Sequence, residues 1–193
     1  MLSAEEATRW LQAYGIPVAR DATAATPEAA AEAAGRLGFP VVLKAMSRDI
    51  PHKSDVGAVR LGLASPAEVL EAAREMAARL ARLTPPVRLD GYVVQETIRG
   101  EAEVIVGARR DPQFGPVVLV GLGGIAVEIL KDVALAPAPV TPERARVMLD
   151  ALAGAPLFRG ARGRPPLDVE AIAGVVSRIS WLRSEERRVG KEC

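Results

Sequence analysis

Three segments of the chain carry the same signal for the start of a helix, a hydroxyl residue followed directly by proline: Thr26–Pro27, Ser65–Pro66 and Thr141–Pro142. The hydroxyl oxygen can accept a hydrogen bond from a free N–H of the first turn, where proline also fits because no donor is needed there. Short runs rich in β-branched residues, such as VVLKA from Val41, lie between these starts. Runs of that length predict buried strands. The chain is therefore predicted to combine helices with several short strands.

Local patterns predict most of the elements individually. Ser3 and Glu6 match a capping box before a helix from Ala4 to Tyr14, and Asp168 is the predicted cap of the last helix. The residues IPV, from Ile16, are predicted to lead into a short strand. Further helices are predicted after each hydroxyl–proline pair, ending near residues 38, 83 and 154, and further strands at residues 58–63, 92–96, 103–110, 117–121 and 133–137.

Composition excludes some classes of function. The chain has 25 Lys and Arg residues against 24 Asp and Glu residues, so no net charge favours binding to nucleic acid or to a membrane surface. No apolar run approaches the roughly 20 residues that a transmembrane helix needs. The one cysteine, Cys193, is the last residue, which excludes an internal disulfide framework and a cysteine-based metal site. We therefore expect a cytoplasmic protein that binds neither nucleic acid nor membranes.

A polar loop separates the apolar runs VVLKAM and AVRLGL and contains the one histidine of the chain, His52. An imidazole can take up a proton or a phosphoryl group near neutral pH. Cations, hydroxyls and a flexible backbone can also close a loop over phosphate groups. The loop supplies these groups at Ser47, Arg48, Lys53, Ser54 and Gly57. A polar connection with an incidental histidine remains the alternative, and Lys44 before the loop either binds an anion or is a surface lysine.

Polar acceptors surround a predicted passage from one strand to the next. Gln95 and Glu96 end a strand, and Glu101 and Glu103 lie at the start of the next one. Such acceptors suit an adenine amine and ribose hydroxyls, although solvent-facing strand ends give the same pattern.

A glycine-rich segment, GLGGIAVEILKD from Gly121, formally matches the G-x-G-x-x-A dinucleotide pattern. That pattern requires a helix opening within it and an acidic residue about 20 positions further on. Here AVEIL is predicted to be a strand, and Thr141 stands near the expected acidic position. We therefore interpret the segment as a turn that brings Glu128, Lys131 and Asp132 toward a ligand.

The order of these segments resembles a known family. FPVVLKAMSRDIPHKSDVGAVRLGL, then VVQETIRGEAEVIVGARRDPQFGPVVLVGLGGIAVEILKDVA, then APLFRGARGRPPLDVEAI are similar to the ATP-grasp subunit of ADP-forming (NDP-forming) acyl-CoA synthetases. The resemblance runs from about Leu2 to Leu182. It implies an α+β ATP-grasp fold, with the nucleotide site between two α+β subdomains. Family members interconvert acyl-CoA, ADP and phosphate with free acid, CoA and ATP through phosphohistidine.

The resemblance also implies roles for individual residues. His52 matches the histidine of the family's H-K-[ST]-D motif, which relays phosphate to the nucleotide, and it is the catalytic candidate. Lys44 matches a lysine that contacts the nucleotide phosphates, Glu96 lies on the hinge strand beside the adenine, and Glu103 matches an acidic position near the ribose and phosphates. The nucleotide-binding candidates are Lys44, Ser47, Lys53, Ser54, Gln95, Glu96, Ile98 and Glu103. The implied cofactors are ATP or ADP and Mg²⁺, and the implied partner is a CoA-binding subunit or domain of the same synthetase.

The C-terminal part departs from the family pattern. A strand with the pattern E-x-D-x-N-P, which holds magnesium in the family, does not follow the last helix, so the metal ligands are unassigned and Glu128 is only a candidate. The charged segment from Arg183 to Cys193 resembles a foreign tail, and we interpret the chain as a truncated subunit. The expected domains are an N-terminal helix and lead-in strand (1–21), a first subdomain (22–91) with a phosphate-lid loop (47–57), an incomplete second subdomain (92–182) and the tail (183–193).

Two classes of function remain open from the sequence. The first is the ATP-grasp component of an ADP-forming acid–CoA ligase. The second is a nucleotide-binding module or fragment without turnover, because the expected metal ligands are missing. A third arrangement is the ATP-grasp part of a larger fusion with a CoA-binding or acetyltransferase domain.

Overall fold

The structure, a computed structural model, describes residues 4–47, 49, 56–84, 87–124, 132–160 and 165–189. The chain divides into two compact units. The four-strand unit comprises residues 19–99, and the three-strand unit comprises residues 1–18 together with residues 100–193. No helix in the described ranges is long and apolar enough to cross a membrane.

The described chain contains six helices and seven strands. They are α1 (Ala4–Ala13), β1 (Asp21–Ala24), α2 (Pro27–Leu37), β2 (Val41–Met46), β3 (Val59–Leu63), α3 (Pro66–Ala81), β4 (Gly91–Glu96), β5 (Val104–Asp111), β6 (Gly115–Leu122), β7 (Val133–Pro137), α4 (Pro142–Asp150), α5 (Ala155–Phe158) and α6 (Val169–Val189).

The predicted helix starts are confirmed by the caps. The hydroxyls of Thr26, Ser65 and Thr141 each accept a hydrogen bond from the backbone N–H three residues on. The Asp168 carboxylate accepts one from Ala171 N in the same way. Each cap satisfies a donor that the first turn of a helix leaves without an intrahelical partner.

The four-strand unit is an antiparallel sheet of order β1-β4-β2-β3 with two helices on one face. Tyr92 and Val94 of β4 point into that core, and the Tyr92 hydroxyl donates to the Ala73 carbonyl of α3 at 2.9 Å. A buried hydroxyl needs such a partner, because leaving it unpaired would cost roughly 1–3 kcal/mol. The rest of the core comes from Val41, Leu43 and Ala45 of β2, from Ala30, Ala33 and Ala34 of α2, and from Val69, Ala72, Met76 and Leu80 of α3.

The three-strand unit is an antiparallel meander of order β5-β6-β7. Val118, Val120 and Leu122 of β6 belong to its core, together with side chains of α4 and α6. Buried hydroxyls of α6 fix the chain after β7: Val140 N donates to Ser180 Oγ at 2.9 Å, and Ser177 Oγ donates to Val140 O at 2.8 Å.

The unit boundaries differ from the domain boundaries expected from the sequence. Strand β4 pairs with both β1 and β2, so it completes the first sheet instead of opening the second subdomain. Helix α1 belongs to the three-strand unit, where Arg178 Nη1 of α6 donates to Gly15 O at 2.6 Å.

Other local differences concern strand and helix ends. The first strand begins at Asp21, and IPV itself is not a strand. The helix that starts at Pro142 ends at Asp150, and a separate short helix follows from Ala155. Helix α6 continues as one helix to Val189, so most of the segment interpreted as a foreign tail extends a helix of the fold. The predicted strand AVEIL lies outside the described residues.

Two glycines of the three-strand unit provide a matched test of its packing. A Cβ on Gly154 would overlap the Leu122 side chain of the core, whereas a Cβ on Gly174 of α6 would meet no heavy atom within 4 Å. We expect Gly174→Ala to stabilise the protein by about 0.5–1 kcal/mol, because alanine restricts the unfolded chain and favours the helix. We expect Gly154→Ala to destabilise it by about 1–3 kcal/mol, as overpacking does. Urea unfolding of both variants measures the difference, and equal effects would contradict this packing.

Candidate functional site

Lys44 and Gln95 contact each other on the sheet face that lies away from α2 and α3. The Lys44 ammonium donates to Gln95 Oε1 at 2.7 Å. In the β2–β4 register Lys44 is opposite Val93 and Gln95 is opposite Val42, so all four side chains share this face. An ammonium group only donates, so the carbonyl oxygen of the Gln95 amide faces Lys44 and its NH₂ group is directed elsewhere. The half-buried lysine is thereby held in one place at the sheet surface.

Glu96, the next residue, turns to the other face of β4 and binds Arg20. Its Oε1 accepts from Arg20 N at 2.7 Å, and its Oε2 accepts from Arg20 Nε at 2.8 Å. These bonds, led by the one from the Arg20 backbone, hold the pKa of the Glu96 carboxyl below its usual value. The carboxylate is therefore ionised at neutral pH and is already engaged by protein donors.

The chain leaves the sheet directly after Glu96. Thr97 N donates to Pro40 O at 3.2 Å, and residues 97–100 form no regular element. Ile98 is 67% exposed, so its side chain does not anchor this passage in the core. The hydroxyl of Thr97 is buried and has no hydrogen-bond partner among the described residues. Residues 97–100 are thus held in position through their connection to the end of β4.

The ends of the β2–β3 loop are described, but its centre is not. Ala45 N donates to Ala58 O at 2.9 Å, and Lys44 is opposite Val59, so the loop is a connection between antiparallel neighbours. Ser47 Oγ accepts from Asp49 N at 3.1 Å and shapes the first turn of the loop. The catalytic candidate His52 and the binding candidates Lys53 and Ser54 lie outside the described residues.

In the three-strand unit, Glu103 is packed against the glycine turn. Gly123 N donates to Glu103 O at 2.7 Å. A Cβ on Gly123 would lie 2.9 Å from Glu103 Cβ, and a Cβ on Gly124 would lie 3.1 Å from Glu103 Oε2. Gly124 also has a φ of 64°, a conformation that favours glycine. The glycines therefore allow the turn to approach the exposed Glu103 carboxylate closely.

Asp132, expected to face a ligand, has a structural role instead. Its two carboxylate oxygens accept from Ala153 N and Gly154 N, each at 2.8 Å. These donors precede α5 and would otherwise lack a partner in the loop. The bonds tie the start of β7 to the loop between α4 and α5, which explains why the predicted helix ends early.

Clustered metal ligands are absent from the described residues. No three His, Cys, Asp or Glu side chains within the described ranges are grouped as metal ligands would be. The carboxylates of Glu96 and Asp132 are engaged by Arg20 and by backbone donors. Glu128, the metal candidate from the sequence, lies outside the described residues.

Comparisons with known proteins fit this arrangement of two antiparallel sheets. The family model described as ATP-grasp domain matches residues 1–190. The chain belongs to the ATP-grasp family. The match extends through most of the segment that we interpreted as a foreign tail.

Two relatives of this ATP-grasp chain are named as ADP-forming acetate–CoA ligases. The beta subunit of acetate–CoA ligase [ADP-forming] I from Pyrococcus furiosus is 41% identical over 180 residues, which are 93% of this chain and 78% of that subunit. Acetate–CoA ligase [ADP-forming] I from Archaeoglobus fulgidus is 40% identical, and the match covers 93% of this chain but 26% of that longer protein. The resemblance to ADP-forming synthetases stated from the sequence is confirmed.

A solved structure agrees with the fold of this chain. The dinucleotide-forming acetyl-coenzyme A synthetase 1 of Ca. Korarchaeum cryptofilum, in complex with coenzyme A, Ca-AMPCP and HgCl⁺, matches with a TM-score of 0.89 at 40% identity, covering 94% of this chain and 79% of that one. Another structure of that enzyme contains a phosphorylated phosphohistidine segment. The α+β ATP-grasp fold expected from the sequence is confirmed.

Sequence reasoning missed Arg20, which holds Glu96 in the candidate ATP-grasp site, and gave Asp132 the wrong role. Arg20 gave no signal because it is one of many charged residues and is 76 positions from Glu96. Asp132 was assigned to a ligand because its hydrogen-bond donors lie 21 and 22 positions further along the chain. Contacts over such separations depend on the fold and cannot be read from local patterns.

The pKa of Glu96 generates a prediction for stability. A carboxyl with a lowered folded-state pKa stabilises the protein above its unfolded-state pKa of about 4.3, and that contribution is lost as the pH falls through the folded-state value. We expect Glu96→Gln to lower the Tm at pH 7. The difference in Tm between the variant and wild type should then disappear as the pH falls from about 5 to 3. Glu71→Gln, at an exposed position on α3, is the control in the same thermal scans. A gap that stays constant with pH would show that the charge of Glu96 is not responsible.

Proposed function

We propose that the chain is the ATP-grasp component of an ADP-forming acyl-CoA synthetase. In this reaction acyl-CoA, ADP and phosphate are converted to free acid, CoA and ATP, or the reverse. The Lys44–Gln95 contact carries the proposal, because a held ammonium beside an amide, next to the passage 96–98, suits a nucleotide. The similarity to the P. furiosus beta subunit and to a synthetase structure with bound coenzyme A and Ca-AMPCP supports it.

The residues have distinct proposed roles. Lys44 neutralises charge on the nucleotide phosphates, since phosphoryl transfer depends mainly on positioning and charge. Backbone groups of residues 96–98 lie along the base, and Glu103 lies near the ribose. Ser47, Lys53 and Ser54 contribute donors from the loop. His52 accepts the phosphoryl group on an imidazole nitrogen and passes it to ADP, which divides one transfer into two.

The activity also requires groups that the described residues do not supply. Magnesium would neutralise phosphate charge when bound, and no cluster of ligands for it occurs among the described residues. A CoA-binding partner subunit or domain would supply the acyl site. The P. furiosus relative is a beta subunit, which supports such an assembly.

A nucleotide-binding module without turnover is the second candidate. It is favoured by the engagement of Glu96 and Asp132 within the protein, because these two carboxylates already accept hydrogen bonds from Arg20 and from backbone N–H groups. Both candidates bind a nucleotide, but only the synthetase component transfers a phosphoryl group.

Removing the ammonium group of Lys44 tests the nucleotide site. We expect Lys44→Ala to weaken ADP binding by about tenfold or more, because a charge-assisted contact to phosphate is lost. Arg36→Ala, which removes an exposed cation from α2, should bind ADP like wild type. Isothermal titration calorimetry measures both dissociation constants. Equal affinity of the Lys44→Ala variant and wild type would remove Lys44 from the site.

Labelled phosphate tests the catalytic role of His52. The chain is combined with a CoA-binding partner, acyl-CoA and ³²P-phosphate, and the label on the chain is measured after acid-free electrophoresis. We expect labelling of wild type and none of His52→Ala, with ADP affinity retained within about twofold. Nucleotide binding without labelling of wild type would favour the module without turnover.

A further inference from the structure

Arg20 makes four polar contacts at one end of the four-strand unit. Its N–H and its Nε donate to the two carboxylate oxygens of Glu96, and its carbonyl accepts from Glu96 N at 2.9 Å. Its Nη2 donates to Leu37 O at 3.2 Å. Leu37 is the last residue of α2, where backbone carbonyls lack intrahelical donors. Arg20 therefore joins the end of β4 to the end of a helix.

This contact differs from the other ion pairs of the unit. Arg74 and Glu28 are also 2.8 Å apart, but both side chains are more than 60% exposed. The Glu96 side chain is 22% exposed, and its carboxylate accepts from a backbone N–H as well as from the guanidinium. An exposed ion pair contributes little to stability, whereas a carboxylate held by two fixed donors has one defined position.

The position of the contact along the chain gives it a further consequence. Asp21 is opposite Gln95 in the β1–β4 ladder, so the Arg20–Glu96 contact extends that ladder by one residue. Beyond Glu96 the chain has no regular element, and Ile98 is exposed. No backbone hydrogen bond between described residues involves Ile98. The geometry of residues 96–98 thus depends on how the end of β4 is held.

We propose that Arg20 is a positioning residue that fixes residues 96–98 so that their backbone can distinguish one nucleobase from another. The proposal rests on the proposed function, which places a nucleotide at this passage. Arg20 keeps the Glu96 carboxylate turned back onto its own chain, so that the carboxylate does not compete for donors on the base. Arg20 also orders the backbone of residues 96–98 before the nucleotide binds. The entropic cost of ordering these residues therefore does not weaken binding.

The experiment compares two exposed arginines of the same unit. Arg20→Gln removes the charge and the side-chain bonds to Glu96 Oε2 and Leu37 O. Arg20→Lys keeps the charge, and Arg74→Gln removes an exposed ion pair away from the passage. Dissociation constants for ADP and for GDP are measured by isothermal titration calorimetry on the full chain, together with the Tm. The ratio of the two constants reports recognition of the base, because the phosphates and ribose are identical.

We expect wild type to prefer one base by about tenfold and Arg20→Gln to reduce that preference to about threefold or less. Arg20→Lys should fall between them, and Arg74→Gln should keep the wild-type ratio. An Arg20 variant that loses ADP and GDP affinity by the same factor would show a merely structural role and overturn the proposal. A wild type that binds both nucleotides equally would also overturn it. A wild type that binds neither would overturn the proposed function itself.

Discussion

Strand β4 lies between β1 and β2, and the four-strand unit depends on this insertion. β4 is the last strand of its unit in sequence, yet it fills a central position in the sheet. Its alternating side chains serve both faces: Tyr92 and Val94 enter the core, while Gln95 lies on the other face and meets Lys44. The core and the candidate nucleotide site are therefore two faces of one strand, and a slip of one residue in its register would exchange them.

Local chemistry was sufficient to predict most elements. The three hydroxyl–proline starts and the Asp168 cap were read correctly because a cap and its donor lie three residues apart. Strand β7 was predicted with its observed bounds, Val133–Pro137, because proline and turn residues delimit it. Strand β1 was misplaced because its sequence, DATA, has little intrinsic preference for a strand. It becomes a strand by pairing with β4, more than 60 residues later.

The candidate site was predictable as a set of residue types but not as an arrangement. Lys44 and Gln95 were both selected from the sequence, but their contact follows from the register between β2 and β4. The carboxylate of Glu96 looked like a ligand acceptor, and the structure instead shows it bound by Arg20. Sequence reasoning treats each carboxylate as available, whereas the fold decides which ones already have donors within the protein. The resemblance of the segments, in their order, to a known family predicted the ATP-grasp fold and its function, which no single residue could predict.

The bonds between Arg20 and Glu96 hold a residue near the start of the four-strand unit beside a residue near its end. The chain therefore enters and leaves this unit, residues 19–99, at neighbouring positions that are joined by a few hydrogen bonds. A unit with adjacent ends can be inserted into a surface loop of a host protein without stretching the host backbone, and its own ends can be joined to make circular permutants. Residues 19–99 therefore have the neighbouring ends that domain insertion and circular permutation require.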